Sequence, residues 1–340
     1  LVHRLVIIAL IVLVLVFGLF PIMNREDEDL ERFGYEPGVK YNVVVFGSEP
    51  EGIVAAIAAA RTGVSVLLVT NQPDPSSYLT DALINSMPAQ TGRVNNRPVS
   101  LNGSVVSELF GSVTSTFTST EYLKRAMQLL SAEAGLVLYF ESVLLEVATS
   151  AEVVNSVRLH TPDGVKTVRA DIFIDATEEA VLLDKLQVPY FTGSEDINAP
   201  NVFEPLAFNF RIRGVDWEDI KTIARVNDFR VQFSDILFRY PRNNENVKLI
   251  APSLIRQDED AVVVSGLQLA FVDPGDPDAV SRAWQIAVQE AMFLTAYLQT
   301  ELQPFANATW DVAAYRLFIP EHRHFMGIDH LTVADILDRK

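Results

Sequence analysis

The sequence predicts an α/β protein: a parallel-sheet domain, then a smaller mixed α+β domain, with a transmembrane helix in front. Three observations carry this. Val43–Gly47 is a run of β-formers closed by glycine, and an alanine-rich segment and the run Val64–Thr70 follow it. Strand, glycine turn, tightly packing helix and strand make a βαβ unit, whose crossover pairs the strands in parallel. From Pro205 onward, alternating apolar residues and one long amphipathic segment replace that pattern. Ahead of it all, Leu5 to Met23 carries no charge.

That uncharged run comes first along the chain. Nineteen residues at helical rise cover about 28 Å, close to the hydrocarbon thickness of a bilayer, so residues 5–23 read as an uncleaved anchor. A cleaved signal peptide is the rival reading, but no small-residue cleavage pattern follows the run. His3 and Arg4 precede the span, and the mostly acidic "NREDEDLER" follows it. The expected topology is a single pass through the cell membrane with the body outside the cytoplasm. Residues 24–40 read as a polar linker.

Residues 41–195 are the first expected domain. "YNVVVFG" is a buried strand, "IVAAIAAARTG" a helix ending near Gly63, and "VSVLLVT" a second buried strand. "NQPDPSSYLTDALINSMP" reads as loop. "STEYLKRAMQLLSAEAG" reads as a helix with an imperfect capping box at Ser119 or Thr120. Strands then run to "ADIFIDAT", with Pro162–Gly164 as a hairpin turn. Residues 196–340 are the second domain. Leu206–Ile212 is expected as an antiparallel, half-exposed strand, "DAVVVSGLQLAFVD" as another, and Ala279–Leu302 as a packing helix.

Composition excludes several chemistries. The net charge of -17 argues against nucleic acid as a partner of the body. With no cysteine, there are no disulfides, thiol nucleophiles or cysteine-ligated metals. The histidine cluster His322–His324 lacks the i, i+4 spacing of a helical metal pair, and no metal site is expected.

A dinucleotide turn must bend sharply and let backbone N–H groups at a helix start meet phosphate. The G-x-G-x-x-G positions hold Gly47, Glu49 and Gly52 here, so the middle glycine is a glutamate. The segment "VVVFGSEPEGIVAAIAAARTGVSVLLV" resembles the start of the FAD-dependent oxidoreductases with two dinucleotide-binding folds. It is similar to a bacterial branch whose turn reads G-x-x-P-x-G, which Pro50 and Gly52 match. "IDAT" at Ile174–Thr177, "VPYFTGSED", "RIRGVDWEDI" and "EHRHFMGIDHLTVADIL" extend the resemblance from Tyr41 to the last residue. It implies a Rossmann-like FAD-binding domain. FAD would lie over Gly47, Ser48, Pro50, Glu51 and Gly52. Adenosine would lie toward Thr70 and Asn71, and flavin toward Thr80, Ala176 and Thr177.

The sequence departs from the family at defined points. Thr70 and Asn71 stand where an acidic ribose ligand is usual, Ser76 and Ser77 replace a glycine pair, and Glu178 replaces a glycine. The family's returning carboxyl segment would come after Lys340, which makes the chain carboxyl-terminally incomplete against that pattern.

In flavoenzymes the protein supplies orientation, electrostatics and proton transfer. Resemblance places "EHRH" at the active site, so Arg323 and His324 are the catalytic candidates and Arg316 a weaker one. Arg323 would hold a substrate carboxylate or stabilise reduced flavin, and His324 would act as acid or base. The rival reading is a salt-bridged surface loop. Arg211 and Arg213 alternate along one strand and read mainly as solvent-facing, and Trp217, Trp284 and Trp310 as packing. The leading function is a membrane-anchored FAD-dependent oxidoreductase. It acts on a small organic substrate by hydride transfer and exchanges electrons with an unidentified donor or acceptor. The alternative is a non-catalytic tethered relative that has lost FAD. A protein using NAD or a different nucleotide in the same turn is a third reading, weakened for NAD by the absence of an acid near Thr70.

Overall fold

The computed structural model describes residues 40–87, 91–94, 97–100, 103–111, 115–150, 153–226, 229–329 and 335. The anchor expected at 5–23 and the linker up to residue 39 lie outside the described residues. Among the described residues no helix is long and apolar enough to cross a membrane.

The predicted βαβ unit is present. Strand β1 (Lys40–Phe46) leads through a turn into α1 (Pro50–Ala60) and then β2 (Val66–Val69). Ile53, Ala56 and Ile57 are fully buried, because alanines let the helix sit close against the sheet. The expected loop after β2 contains a one-turn helix, α2 (Tyr78–Asp81). Its physical basis is a capping box: the Leu79 N–H donates to Ser77 Oγ (3.2 Å) and the Ser77 N–H to Thr80 Oγ1 (3.1 Å).

Two short ribbons follow: β3 (Ser86–Met87) pairs with β6 (Ser115–Thr116), and β4 (Thr91–Val94) with β5 (Arg97–Ser100). Between them lies α3 (Ser104–Phe110). Helix α4 (Ser119–Ala132) is capped by Thr118, not by Ser119 or Thr120 as expected. Glu121 at the third helical position reaches back to the Thr118 N–H (2.8 Å) and completes the box.

Strands β7 (Leu136–Tyr139), β8 (Val143–Ser150), β9 (Val153–Thr161) and β10 (Gly164–Asp175) complete a six-stranded sheet of order β7-β2-β1-β10-β9-β8. The first four are parallel. The β9–β10 hairpin turns at Pro162–Asp163 and makes the far side antiparallel. In register, Phe46 lies opposite both Val69 and Asp175, so three parallel strands end on one line.

Helix α5 (Val181–Lys185) and strand β11 (Tyr190–Thr192) lead into a second layer. It contains β12 (Leu206–Arg213), α6 (Trp217–Val226), α7 (Phe229–Phe238), β13 (Val247–Arg256), β14 (Ala261–Leu269), α8 (Pro277–Glu301) and β15 (Thr309–Ala313). The sheet order is β13-β14-β12-β15, all antiparallel. Strand β16 (Arg323–Phe325) returns to pair with β11.

β12 is the antiparallel, one-face-buried strand expected. Leu206, Phe208, Phe210 and Ile212 are fully buried and share a core with Ala287, Ala291, Leu294 and Leu298 of α8. Each such side chain contributes about 1.5–3 kcal/mol by burial. The opposite face carries Arg211 and Arg213, held by Asp311, Asp258 and Asp260. Both arginines are thus structural and line neither cavity described below. Trp310 stacks on Phe210 at 5.5 Å, and Trp284 donates to the Ala314 carbonyl.

Helix α8 also buries a carboxylate. Glu290 Oε1 accepts the Asn243 N–H at 3.1 Å, fixing the chain before β13. Glu290→Ala removes that bond from a buried position and is expected to destabilise the chain by about 0.5–1.5 kcal/mol in urea unfolding, with Glu290→Gln closer to wild type.

Candidate functional site

The turn after β1 is shaped by contacts that exclude side chains. Gly47 has φ +99°, and a Cβ on it would lie 2.2 Å from the Ala176 carbonyl oxygen. A Cβ on Gly52 would lie 2.2 Å from the Gly47 carbonyl oxygen. The Ala176 N–H donates to the Phe46 carbonyl and the Gly47 N–H to the Val69 carbonyl, both at 2.8 Å. The three strand ends are thereby tied together under the head of α1. Pro50 opens that helix, where its missing N–H costs nothing.

The hydroxyls predicted to meet a cofactor mostly serve the protein. Ser48 Oγ donates to the Ser76 carbonyl (2.7 Å), so its 2.9 Å bond with Thr70 Oγ1 is donated by Thr70. Thr70 also accepts the Gln72 N–H and is buried. Thr80 belongs to the capping box described above and lines neither cavity described below, whereas the next residue, Asp81, lines the first. Thr177 Oγ1 donates to Asp175 and accepts the Val181 N–H. Asn71 is exposed at a cavity wall, and its side chain has no hydrogen-bond partner among the described residues.

Two cavities open at these strand ends. The first, about 610 Å³, is lined by Phe46–Glu49, Val69–Gln72, Ser142–Leu144 and the Thr177–Glu179 segment. The second, about 760 Å³, is lined by Ala55, Tyr78, Ile174–Ala180 and Phe318–Arg323, with Glu51 at its rim. Their apolar walls belong to the cores on opposite faces of the sheet. Glu49, Thr177, Glu178, Glu179, Arg316 and Arg323 line both and form the partition.

The partition is dominated by charge. Arg316 pairs with Glu178, lies 3.5 Å from Asp81, and reaches Glu49 only at 4.0 Å. Glu49 Oε2 accepts the Tyr78 N–H at 3.0 Å. Burial pushes the Glu49 carboxyl up to about 8; the Tyr78 amide opposes this, and Glu178 adds to it. Burial also raises Glu178, against the pull of Arg316. For Arg316, burial acts downward but Glu178, Asp81 and Glu49 outweigh it and the net shift is upward.

The structure separates the two predicted catalytic residues. Arg323 lines both cavities, bonded to Asp184 and the Glu179 carbonyl and flanked by the rings of Tyr190 and Phe325. His324 lines neither cavity; its imidazole faces Asp196 (3.9 Å) and Glu321 (3.7 Å), half exposed. Neighbouring residues of a strand face opposite sides, so β16 cannot present both. His322, just before the strand, lines the second cavity instead, its pKa lowered by burial and then by Arg323. Sequence reasoning missed it: His322 precedes the strand, so alternation along β16 does not govern where it points. No cluster of His, Asp or Glu among the described residues is arranged to hold a metal.

A glycine turn feeding a helix at the ends of parallel strands, with a cavity beyond them, defines a nucleotide-binding α/β protein. A model of the FAD dependent oxidoreductase family matches residues 42–340, and the chain belongs to that family, whose cofactor is FAD. Among solved structures, the chain is similar to a geranylgeranyl bacteriochlorophyll reductase-like protein from Thermoplasma acidophilum. The identity is 16%, over 81% of this chain and 65% of that chain, with a TM-score of 0.48. It is also similar to p-nitrophenol 4-monooxygenase from Pseudomonas putida (11%, 84% and 69%, TM-score 0.48). A third is aklavinone-11 hydroxylase, in a ternary complex with FAD and aklavinone (13%, 87% and 56%, TM-score 0.49). The chain thus spans 65% of the first of these. No curated protein matches it.

The turn fits a dinucleotide in its backbone: the glycines are sterically required and the first N–H groups of α1 face no side-chain cap. Glu49 is the residue that opposes an anion there.

Two outcomes are expected. Gly52→Ala must push the turn off the helix and is expected to cost about 3 kcal/mol or more in chemical denaturation, whereas Gly103→Ser, at an open helix cap, is expected to be neutral. The second concerns pH. Between about 4.5 and 8 the folded chain keeps a proton on Glu49 that the unfolded chain has lost. Glu49 therefore makes stability fall as pH rises through that window, by at most about 1.4 kcal/mol per pH unit. Melting curves across this range are expected to be flatter for Glu49→Gln.

Proposed function

We propose that this chain is a membrane-anchored FAD-dependent oxidoreductase acting on a small organic molecule by hydride transfer to or from flavin. The single observation that carries this reading is the turn at Gly47–Gly52, closed by backbone contacts no other residue type permits, in a chain of this family. The backbone of Gly47–Gly52 would hold the cofactor, with Asn71 and the Thr70 main chain toward one end and the Ala176–Thr177 segment toward the other. FAD supplies the redox step when bound. The chain's own groups bind and orient. Arg323, fixed by Asp184 and two rings, offers a cation to a substrate carboxylate, and His322 offers a proton-exchanging group in the second cavity. The electron donor or acceptor lies outside the chain. The uncharged run at 5–23 supports a single-pass anchor with the body outside the cytoplasm, and 41–195 and 196–340 serve as cofactor and substrate domains.

Glu49 and the self-satisfied hydroxyls favour one other reading, a fold-retaining relative without FAD. The visible spectrum of the purified full chain separates them. Flavin absorbance that stays with the protein through gel filtration, as isolated or after adding FAD, is the expected result. A folded, colourless protein that does not retain added FAD leaves the non-catalytic reading.

A further inference from the structure

Glu49 occupies an unusual place. It stands at the head of α1, between two cavities, yet its carboxylate does not cap α1 itself. It turns instead to the first N–H of α2, accepting from Tyr78 at 3.0 Å, and comes within 4.0 Å of Arg316. Free helix-start amides and a guanidinium are the donors an anionic ligand recruits at such a turn.

We propose that Glu49 is a built-in competitor for the cofactor's anionic diphosphate: its carboxylate sits among the donors at the turn, and FAD binds fully only when that carboxylate gives up its charge. The inference rests on the FAD reading above. It makes Glu49 a positioning and selectivity residue that touches no reacting atom.

The surroundings make the charge costly. The titratable and charged groups facing Glu49 are Glu51 on its own helix, Tyr78 and Asp81 from α2, Tyr122 from α4, Glu178 and Glu179 from the segment after β10, and Arg316 from the segment after β15. One cation serves Glu178, Asp81 and Glu49, and Glu49 is the most distant of the three from it. Burial, the carboxylates and the weak cation contact together favour the neutral form near neutral pH, in which the turn tolerates a second anion. Deprotonation at higher pH sets two anions against each other in a half-desolvated site.

The test uses the full-length chain and its Glu49→Gln variant, which keeps side-chain size and removes the charge. FAD is titrated in at pH 6, 7 and 9 and followed by quenching of flavin fluorescence. Thermal melts without FAD are run on the same samples. With the Glu49 carboxyl titrating at about 8, wild-type affinity is expected to fall about tenfold from pH 7 to pH 9. Glu49→Gln is expected to lose that dependence, bind as tightly as wild type at pH 7, and melt above wild type by a wider margin at pH 9 than at pH 6. Parallel pH profiles in the two proteins, or weaker binding by the variant at every pH, overturn the role of Glu49 and leave the FAD reading standing. No binding by either protein at any pH overturns the FAD reading itself, and the inference with it.

Discussion

The strand ends depend on one close approach. The backbone of Gly47 lies so near the Ala176 carbonyl that a Cβ would stand 2.2 Å from it, and Gly52 is pressed as closely onto Gly47. This stack joins β1, β10 and α1 at a single point and sets where the helix begins. It also explains why Ala176 is small and why its amide can bond the Phe46 carbonyl. With the stack in place, the residues after each parallel strand meet along one line, and both cavities open from that line. A substitution there would move three elements together, because close-packed backbone has no rotamer through which to relax.

The second layer reaches this point through β12 and the short segment after β15. The Tyr315 N–H bonds the Asp81 carbonyl, Asn209 donates to the Ala82 carbonyl, and Phe318 packs 5.4 Å from Tyr78. Arg316 arrives between them. A unit pair at 4 Å near a protein surface is worth about 4 kcal/mol before desolvation is counted. One guanidinium facing Glu178, Asp81 and Glu49 cannot compensate all three to that extent, and five N–H donors in a plane cannot bond all six oxygens well. The geometry resolves the shortage unequally. Glu178 has the close pair, Asp81 an intermediate one, and Glu49 relies on the Tyr78 amide. The carboxylate with the longest ion pair and the least exposed side chain is the one held as a neutral acid.

Much of the fold was legible because it is written in short range. The β1–α1–β2 unit, the Pro162–Gly164 hairpin and the long helix α8 follow from local period and turn chemistry. Misses came where the deciding partner is distant or shifted by a residue. α2 hides in a serine- and proline-rich stretch, because two side chains capping each other outweigh a loop-like composition. The cap of α4 lies one residue earlier than read, because Glu121 selects Thr118. Alternation puts Phe208 and Phe210 on one face of β12, but that α8, far along the chain, covers this face is not readable locally. At the site, the glycines were readable from the pattern alone. Arg316 was a weaker candidate by sequence, but the partition it centres was not readable, since it joins residues from four separate segments. His322 and His324 show a different failure: residue type drew attention to the cluster, but where β16 begins decides which neighbour can accompany Arg323, since His324 lies inside the strand and His322 before it.

The fate of the hydroxyls explains how such a site tolerates so many departures from its family's pattern. Ser48, Thr70, Thr80 and Thr177 all looked like ligand-binding groups by type and place, yet each is bonded to a neighbouring backbone or side chain. A hydroxyl has one proton to donate, and in Ser48 and Thr177 that proton is already committed within the protein. What remains for a ligand at the turn itself is main chain, the head of α1 and the amides around the glycine stack, with the Asn71 and Arg316 side chains at the cavity walls beside it. Main-chain recognition is insensitive to which side chain sits at the middle position, provided the backbone path is kept. The path is set by Gly47 and Gly52, both retained. Replacement of the middle glycine by Glu49 therefore leaves the shape of the turn intact and alters only its charge. A side chain added at that one position changes when an anion can bind without changing where it would bind.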